Sequence, residues 1–379
     1  MNVVARTAAL LRPNTATRTV GPIGIDLALE SVHLVQLEAA AGKPATVRAR
    51  VSLPLDCTRQ ELLADPRKFR SLMKRALGAD RFSGRQAVLA LPPGMFRTVS
   101  INFPAAGNAD QEAAAVLRVM KDRLDGELSD YVLDYLPVKS RSKSDDQLAL
   151  VAVSERGPIV ELLELARKAR LDVQALEIGP VAISRLVCAM SAKQGPGNVL
   201  VVNSGRRVSY LTLISGSDLL FDQEVTFGEV SLIEQVAEIL DLPADMARDL
   251  IMRTGVQPGK HADPVSEAID ESGLINTLSE IVKPQFLKLV AEIKRVFLYA
   301  AAETRGGSVA QVYLLGSIAR WPGSDSLLST LTGVNVATIP DPLALFPSGI
   351  ARSAESTSQS APEIAVATGL ALRGMQGHG

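Results

Sequence analysis

Apolar and polar residues alternate near the start of the chain in a pattern that predicts strands. Residues 22–38 predict two strands around a turn at 28–31, and a third strand follows at 46–53, where every second residue is apolar. The spacing of apolar positions over 66–77 predicts a helix. The first part of the chain therefore predicts three antiparallel strands followed by a helix.

The next stretch predicts a small α+β unit. Its elements are strand 86–91, a turn at Pro92-Pro93-Gly94, strand 96–103, helix 109–124 and strands 131–138 and 147–154, with a polar loop at 139–146. Helix 156–169, strand 173–178 and helix 180–191 then continue the earlier pattern. We therefore expect residues 85–157 to be an insert within a first domain formed by 22–84 and 158–194.

The chain then repeats its own beginning after a Gly/Pro-rich break at 192–198. The segment LVVNSGRRVSYLTL (200–213) aligns with IGIDLALESVHLVQL (23–37). In this alignment Asn203 is equivalent to Asp26. The elements that follow are strand 218–226, helices 228–240, 243–254 and 276–304, strand 310–315 and helix 324–332. Such internal similarity indicates duplication, so we expect a second, similar domain over 198–352. A last helix over 363–375 is expected to pack back on the first domain.

Composition narrows the classes of function. The chain has 379 residues, 47% of them hydrophobic, with 40 basic and 41 acidic side chains. The two counts nearly cancel, so the chain lacks the overall positive charge that is typical of proteins that bind nucleic acid. Its two cysteines, Cys57 and Cys188, cannot form a disulfide framework or a zinc site. No apolar run is long enough to span a membrane. We expect a cytoplasmic protein that does not bind nucleic acid, with a flexible tail over 1–21; a weak amphipathic membrane anchor is the alternative for that tail.

Seven segments, taken in order, resemble the PilM family, the actin-like proteins of type IV pilus assembly related to FtsA. They include Ile23–Val35, which carries the Gly24 and Asp26 positions of the family's opening motif, and LLGSIARWPGSDSL at 314–327. The others lie at 88–153, 172–186, 221–250, 292–299 and 367–374. The resemblance implies an α/β fold of the actin-like ATPase kind: two duplicated RNase H-like domains, with a small α+β subdomain inserted in the first.

The resemblance also implies a site for ATP with Mg²⁺ in the cleft between the two domains. Its hairpin turns would hold the phosphates, and a carboxylate, Asp26, would order the metal through bound water. The alternative for Asp26 is an aspartate that only caps a turn. The candidate nucleotide residues are Asp26, Ala28, Ser31, His33, Asn203, Ser204, Gly205, Gly228, Gly316 and Ser317.

Several of these positions depart from the family pattern. Leu29 is bulky where a phosphate should lie, and Glu30 would repel it. His33 replaces the family's lysine, and an exposed strand residue is the favoured interpretation. Asn203 is neutral where the family has a second carboxylate. Ile318 is β-branched where the third motif has a small residue. We therefore expect no hydrolysis and weakened ATP binding.

Arg206 and Arg207 stand at the tip of the second hairpin. They are either phosphate contacts or ordinary surface charges, and we favour the second interpretation. The chain contains no P-loop, no dinucleotide fingerprint and no nucleophile–histidine–acid set in a recognised context.

The resemblance implies a cytoplasmic scaffold, peripheral to the inner membrane, that binds the N-terminal tail of a PilN-like protein beside the insert. Pilus motor ATPases and self-association are further partners in this hypothesis. Two alternatives stay open. One is an active actin-like ATPase, which measured affinity for ATP with Mg²⁺ would distinguish. The other is the cytoplasmic part of a type II secretion platform, whose subunit continues into a membrane helix, whereas this chain is expected to end without one.

Overall fold

Two five-stranded sheets with the same strand order form the centre of the molecule. The computed structural model describes residues 18–40, 42–104, 107–138, 146–191, 197–257, 271–304, 306–346 and 361–375. Numbered in chain order, the strands of the first sheet are β1 (Arg18–Leu27), β2 (Ser31–Ala40), β3 (Thr46–Pro54), β4 (Gln86–Ala90) and β8 (Asp172–Glu177). Their order is β3-β2-β1-β4-β8, with β1, β2 and β3 antiparallel and β4 and β8 parallel to β1.

The second sheet repeats this arrangement. Its strands are β9 (Asn198–Ser204), β10 (Ser209–Ser215), β11 (Asp218–Val225), β12 (Val309–Gly316) and β13 (Val336–Thr338), in the order β11-β10-β9-β12-β13. The register repeats as well: Asp26 faces His33 across the first hairpin, and Asn203 faces Tyr210 across the second. The alignment of Asn203 with Asp26 in the sequence is thus matched by their positions in the two sheets.

Helices cover both faces of each sheet, which is why the central strands are apolar on both sides. The helices are α1 (Arg59–Ala64), α2 (Pro66–Gly78), α3 (Ala109–Lys121), α4 (Arg156–Lys168), α5 (Gly179–Ser191), α6 (Glu229–Leu240), α7 (Ala244–Thr254), α8 (Glu271–Glu303), α9 (Ser324–Thr332) and α10 (Ala365–Arg373). Helices α2 and α4 bury their apolar sides against the outer face of the first sheet. Helices α6, α7 and α8 do the same on the second sheet.

Helices α5 and α10 lie between the two sheets and share one core with both of them. The approach of α10 to β1 is close, because a Cβ atom at Gly24 would collide with the backbone of Ala367. Glu177 at the end of β8 accepts from Arg185 of α5 and from Arg373 of α10. The two halves are therefore joined by a buried apolar layer as well as by the chain.

The insert is a separate three-stranded antiparallel sheet with α3 against one face. Its strands are β5 (Arg97–Pro104), β6 (Tyr131–Val138) and β7 (Asp146–Glu155), in the order β5-β7-β6. The predicted insert began at residue 85, and this is wrong for its first strand. Strand β4 pairs with β1 and β8 instead, because its residues Ala87–Ala90 are buried within the first sheet.

The beginning of the folded chain also differs from the prediction. Strand β1 starts at Arg18, inside the predicted flexible tail, and Arg18 forms an ion pair of 2.9 Å with the buried Glu38. Residues 1–17 of that tail, most of the loop at 139–146 and the end of the predicted second domain at 347–352 lie outside the described residues. Within the described part, no helix is long and apolar enough to cross a membrane.

Candidate functional site: the cleft between the two sheets

Nine of the ten candidate nucleotide residues line one cavity of about 590 Å³ between the two sheets. They are Asp26, Ala28, Ser31, His33, Asn203, Ser204, Gly205, Gly316 and Ser317. The cavity lies where β1 and β9 end, and the ends of strands are the usual position of ligands in α/β folds. Gly228 is not among the lining residues. It lies behind the second hairpin, where a Cβ atom would stand 2.5 Å from the carbonyl oxygen of Arg206.

Asp26 is buried at the cavity wall, with 8% of its surface exposed. Burial raises the pKa of Asp26 from 3.8 to about 7, and the nearby positive charge of Arg59 opposes part of that rise. Arg59 is held in place because its Nη2 donates to the carbonyl oxygen of Pro93 at 2.7 Å. Ionising Asp26 to hold a cation therefore carries a cost that an ordinary surface aspartate does not have.

His33 is buried, so the favoured prediction of an exposed strand residue is wrong. Only 4% of its surface is exposed, and its two ring nitrogens lie 2.8 Å from the hydroxyls of Ser31 and Ser52. Burial, and to a lesser extent the positive charge of Arg320, lowers the pKa of His33 from 6.5 to about 4. The ring is therefore neutral near pH 7, and it fixes the first hairpin against β3 instead of presenting a charge.

The second hairpin is fastened directly to the turn after β12. Ser317 donates its backbone N–H to the carbonyl oxygen of Ser204 at 2.8 Å. The Ser204 hydroxyl donates to the carbonyl oxygen of Leu315 at 2.9 Å and accepts from the N–H of Ile318 at 3.0 Å. Gly316 has a φ of +82°, and a Cβ atom there would collide with the carbonyl oxygen of Ser204. Glycine is required at this position for two separate reasons.

Ile318, the β-branched residue that departs from the family pattern, is not among the residues that line the cavity. Its side chain is fully buried in the core of the second half, together with Trp321. The β-branched residue therefore follows the turn without projecting from it. The departure from a small residue at this position has no direct consequence for the cavity.

An ion pair connects the tips of the two hairpins across the cleft. Arg206 Nε lies 2.7 Å from Glu30 Oε2, and its Nη1 lies 3.8 Å from Glu229 Oε2. Glu229 is buried and also accepts from Trp321 Nε1 at 3.3 Å. Arg206 is thus neither a free phosphate contact nor an ordinary surface charge, and Glu30 is not an unpaired negative charge. Arg207 is exposed at the hairpin tip.

The cavity also has charged residues that the sequence argument missed. They are Arg59, Glu224, Arg248, Arg320 and Glu363. They come from elements far apart in the chain. Glu224, Arg248 and Arg320 lie within the segments that resemble the family, but they were not identified as site residues. Tyr210 was also missed, although the internal repeat places it opposite Asn203 as His33 stands opposite Asp26. Its hydroxyl donates to Glu224 Oε2 at 2.7 Å, so the repeat could have identified this position.

Apolar residues also line the cavity, among them Leu29, Leu53, Pro93 and Phe96. Residues 92–96 are the connection through which the chain leaves β4 and enters β5 of the insert. The predicted nucleotide site and the predicted partner site therefore adjoin in one cavity.

Comparison with known proteins gives a consistent family and fold. The family model of type IV pilus assembly protein PilM matches residues 24–375. A comparison with curated protein sequences gives no significant match.

Three solved structures illustrate the fold. The chain is similar to a "PilM-PilN type IV pilus biogenesis complex", with a TM-score of 0.72, 22% identity, and coverage of 93% of this chain and 98% of that chain. Ethanolamine utilization protein EutJ from Carboxydothermus hydrogenoformans is similar with a TM-score of 0.50 and 15% identity. The match covers 93% of this chain and 89% of that chain. An archaeal actin homolog, Ta0583, has a TM-score of 0.46 and 12% identity. The match covers 94% of this chain and 99% of that chain. At these identities the likeness to the first two structures concerns the fold alone.

Proposed function

This chain belongs to the family of the type IV pilus assembly protein PilM, and we propose that it acts as a cytoplasmic scaffold of such an assembly complex at the inner membrane. In this proposal it binds the N-terminal cytoplasmic tail of a PilN-like protein and does not hydrolyse ATP. Pilus motor ATPases and further copies of the chain are the other partners. The observation that carries the proposal is the family match over almost the whole chain, which includes the insert.

The composition of the cleft supports a role without hydrolysis, because its residues do not fit an ordinary magnesium–nucleotide site. Asn203 offers a neutral amide where the equivalent strand of the first sheet has Asp26. Arg206 is already paired with Glu30, so its charge is largely neutralised. Leu29 stands at the turn of the first hairpin with 39% of its surface exposed and lines the cavity. Mg²⁺ prefers several oxygen ligands and geometry close to octahedral.

The apolar residues of the cavity support binding of a peptide tail. An extended peptide gains affinity by placing apolar side chains in pockets beside polar groups that fix its direction. Leu53, Pro93 and Phe96 offer such a surface next to the insert. This position agrees with the expectation that the partner binds beside the insert.

Calorimetry with a synthetic peptide of the PilN-like tail tests the proposal, with Phe96→Ala and Phe82→Ala as the matched pair. Both phenylalanines are half-buried and pack against the same core, but only Phe96 lines the cavity. We expect Phe96→Ala to weaken binding by about tenfold and Phe82→Ala to leave it unchanged. Thermal melting checks that both variants fold. No binding by the wild type would refute the scaffold proposal, and equal affinities for the two variants would refute the position of the site.

The active-ATPase alternative has one observation in its favour, namely that nine candidate residues gather in one cavity. A thermal shift with ATP and Mg²⁺ distinguishes it. A ligand at a thousand times its Kd stabilises the folded state by about 4 kcal/mol, so a shift of several degrees that is specific to ATP would favour the alternative. We expect little shift in the wild type.

The combined variant Ala28→Gly, Leu29→Ser, Glu30→Ser and Asn203→Asp is the matching gain-of-binding test. It restores space and a second carboxylate, and it releases Arg206 from Glu30. We expect its affinity for ATP to rise measurably. An unchanged affinity would show that these four positions are not the cause of weak binding.

A further inference from the structure

The near-zero net charge of the chain conceals a strongly basic segment. Residues 59–85 contain eight basic and three acidic side chains, whereas the whole chain carries a formal charge of −1. Helix α2 itself contains five basic residues and no acidic one. The segment therefore has a local charge of +5, opposite in sign to the rest of the molecule.

The basic residues of α2 lie together on its outer side. Phe69, Leu72, Met73 and Ala76 are buried against the first sheet, and this fixes which side of the helix faces solvent. We use the name α2 basic face for the exposed residues Arg67, Lys68, Arg70, Lys74 and Arg75. Among the described residues, this face forms a single ion pair, which joins Arg75 to Asp56 at 2.7 Å.

Helix stability does not explain this charge pattern. Basic residues at the end of a helix are favourable, because the last carbonyl groups carry a partial negative charge. Lys74 and Arg75 fit that rule. Arg67 and Lys68 do not, because they stand in the first turn, where the N–H groups carry partial positive charge, even though the carboxylate of Asp65 caps both of those N–H groups. The remaining repulsion between neighbouring cations is a cost that an anionic partner would relieve.

We propose that the α2 basic face docks on the anionic phospholipid headgroups of a membrane surface. Clusters of four to eight lysines and arginines on a helix are typical of such contacts, and each contributes about a fivefold gain in affinity near an anionic surface. The face is the solvent side of a packed helix and lies outside the cavity, so it contacts headgroups without inserting. The contact requires no partner tail and is independent of the proposed function.

The absence of aromatic side chains from the α2 basic face favours lipid over single-stranded nucleic acid. Binding of single strands normally uses aromatic side chains for base stacking, and the α2 basic face has none, since Phe69 is buried. Helix α4, which packs beside α2, exposes both acidic and basic side chains, among them Glu161, Arg167 and Lys168. The uninterrupted basic area is therefore that of α2, one helix of 13 residues, which suits a peripheral contact with headgroups.

Sedimentation of the full chain with vesicles tests the proposal. One set of vesicles contains phosphatidylcholine alone, and the other also contains phosphatidylglycerol. We expect binding only to the second set, with loss of binding at high salt because exposed charges are screened. Arg70→Gln combined with Lys74→Gln should reduce the affinity about 30-fold.

Lys288→Gln combined with Lys294→Gln provides the control, because both lysines are exposed on α8 and the change in net charge is the same. We expect this variant to bind like the wild type, and all proteins to keep the same melting temperature. Equal binding to both sets of vesicles, equal losses in the two variants, or tighter binding to duplex DNA or to polyglutamate than to the anionic vesicles would overturn the proposal.

Discussion

Replacing Gly316 by alanine tests whether the two turns of the second half must touch at the cleft. Gly316 ends β12 with a φ of +82°, and the Cβ of alanine would lie far inside the 3.0 Å limit of real contacts with the carbonyl oxygen of Ser204. That oxygen already accepts from the N–H of Ser317 at 2.8 Å. Because both groups are backbone, no side-chain rotation can relieve the contact.

The expected loss has two parts. An alanine in the left-handed region costs about 1–2 kcal/mol. Forcing extra volume into packed backbone costs about 1–3 kcal/mol more. We therefore expect Gly316→Ala to lower the free energy of unfolding by about 3 kcal/mol. Gly333→Ala is the control, since Gly333 has a similar φ of +74° but no atom within 4 Å of a Cβ atom, and only the first part of the cost applies.

Urea unfolding followed by tryptophan fluorescence measures both losses. The chain has one tryptophan, Trp321, which is 1% exposed and lies five residues after Gly316. Its signal therefore reports the half of the molecule that contains both substitutions. A loss for Gly316→Ala no greater than that for Gly333→Ala would refute the close approach of the turns.

Two further predictions concern buried and bridging charges. Burial raises the pKa of Asp222 from 3.8 to about 7, so its protonated form stabilises the folded state at low pH, and this stabilisation is lost as the pH rises through 7. The wild type should therefore lose stability between pH 4 and pH 7, whereas Asp222→Asn should not. The difference in stability between the two proteins should grow by a few kcal/mol at most over this range and stay constant above pH 7. Melting temperatures that change in parallel with pH in the two proteins would contradict this. Glu30→Gln should cost about 1 kcal/mol or less, because both partners of the Arg206 pair are half-exposed, and should reduce hydrogen-exchange protection at 205–207; Glu292→Gln, which breaks an exposed pair within α8, should leave that segment unchanged.

The sequence predicted the parts of the fold that depend on local pattern. The hairpins of both halves, their equivalence and the strands β5, β6 and β7 follow from alternation and turn residues, which act over a few positions. Helix α1 and the short strand β13 were not predicted, since they span only six and three residues. Nine of the candidate residues that the resemblance suggested line one cavity, and their role in nucleotide binding stays a prediction.

The errors share a physical cause, which is that burial and pairing are decided by distant parts of the chain. Nothing near His33 indicates that Ser52 of β3 will cover it, and nothing near Ile318 indicates that the core of the second half will take its side chain. The fourth strand was assigned to the insert because its neighbours in the sequence lie there. Its hydrogen-bond partners lie in the first sheet instead.

The ion pair between the hairpin tips changes the interpretation of two residues of the cleft that depart from the family pattern. Taken singly, Glu30 is a negative charge near a phosphate position and Arg206 is a positive charge at a turn. Together they connect the two hairpins across the cleft, beside the candidate nucleotide residues. The buried layer of α5 and α10 already joins the sheets behind this point. The buried layer therefore contributes most to holding the two walls together, and the half-exposed ion pair adds about 1 kcal/mol or less. In the proposed scaffold role this arrangement keeps the cleft in shape without a bound nucleotide, and the thermal shift with ATP and Mg²⁺ tests that proposal.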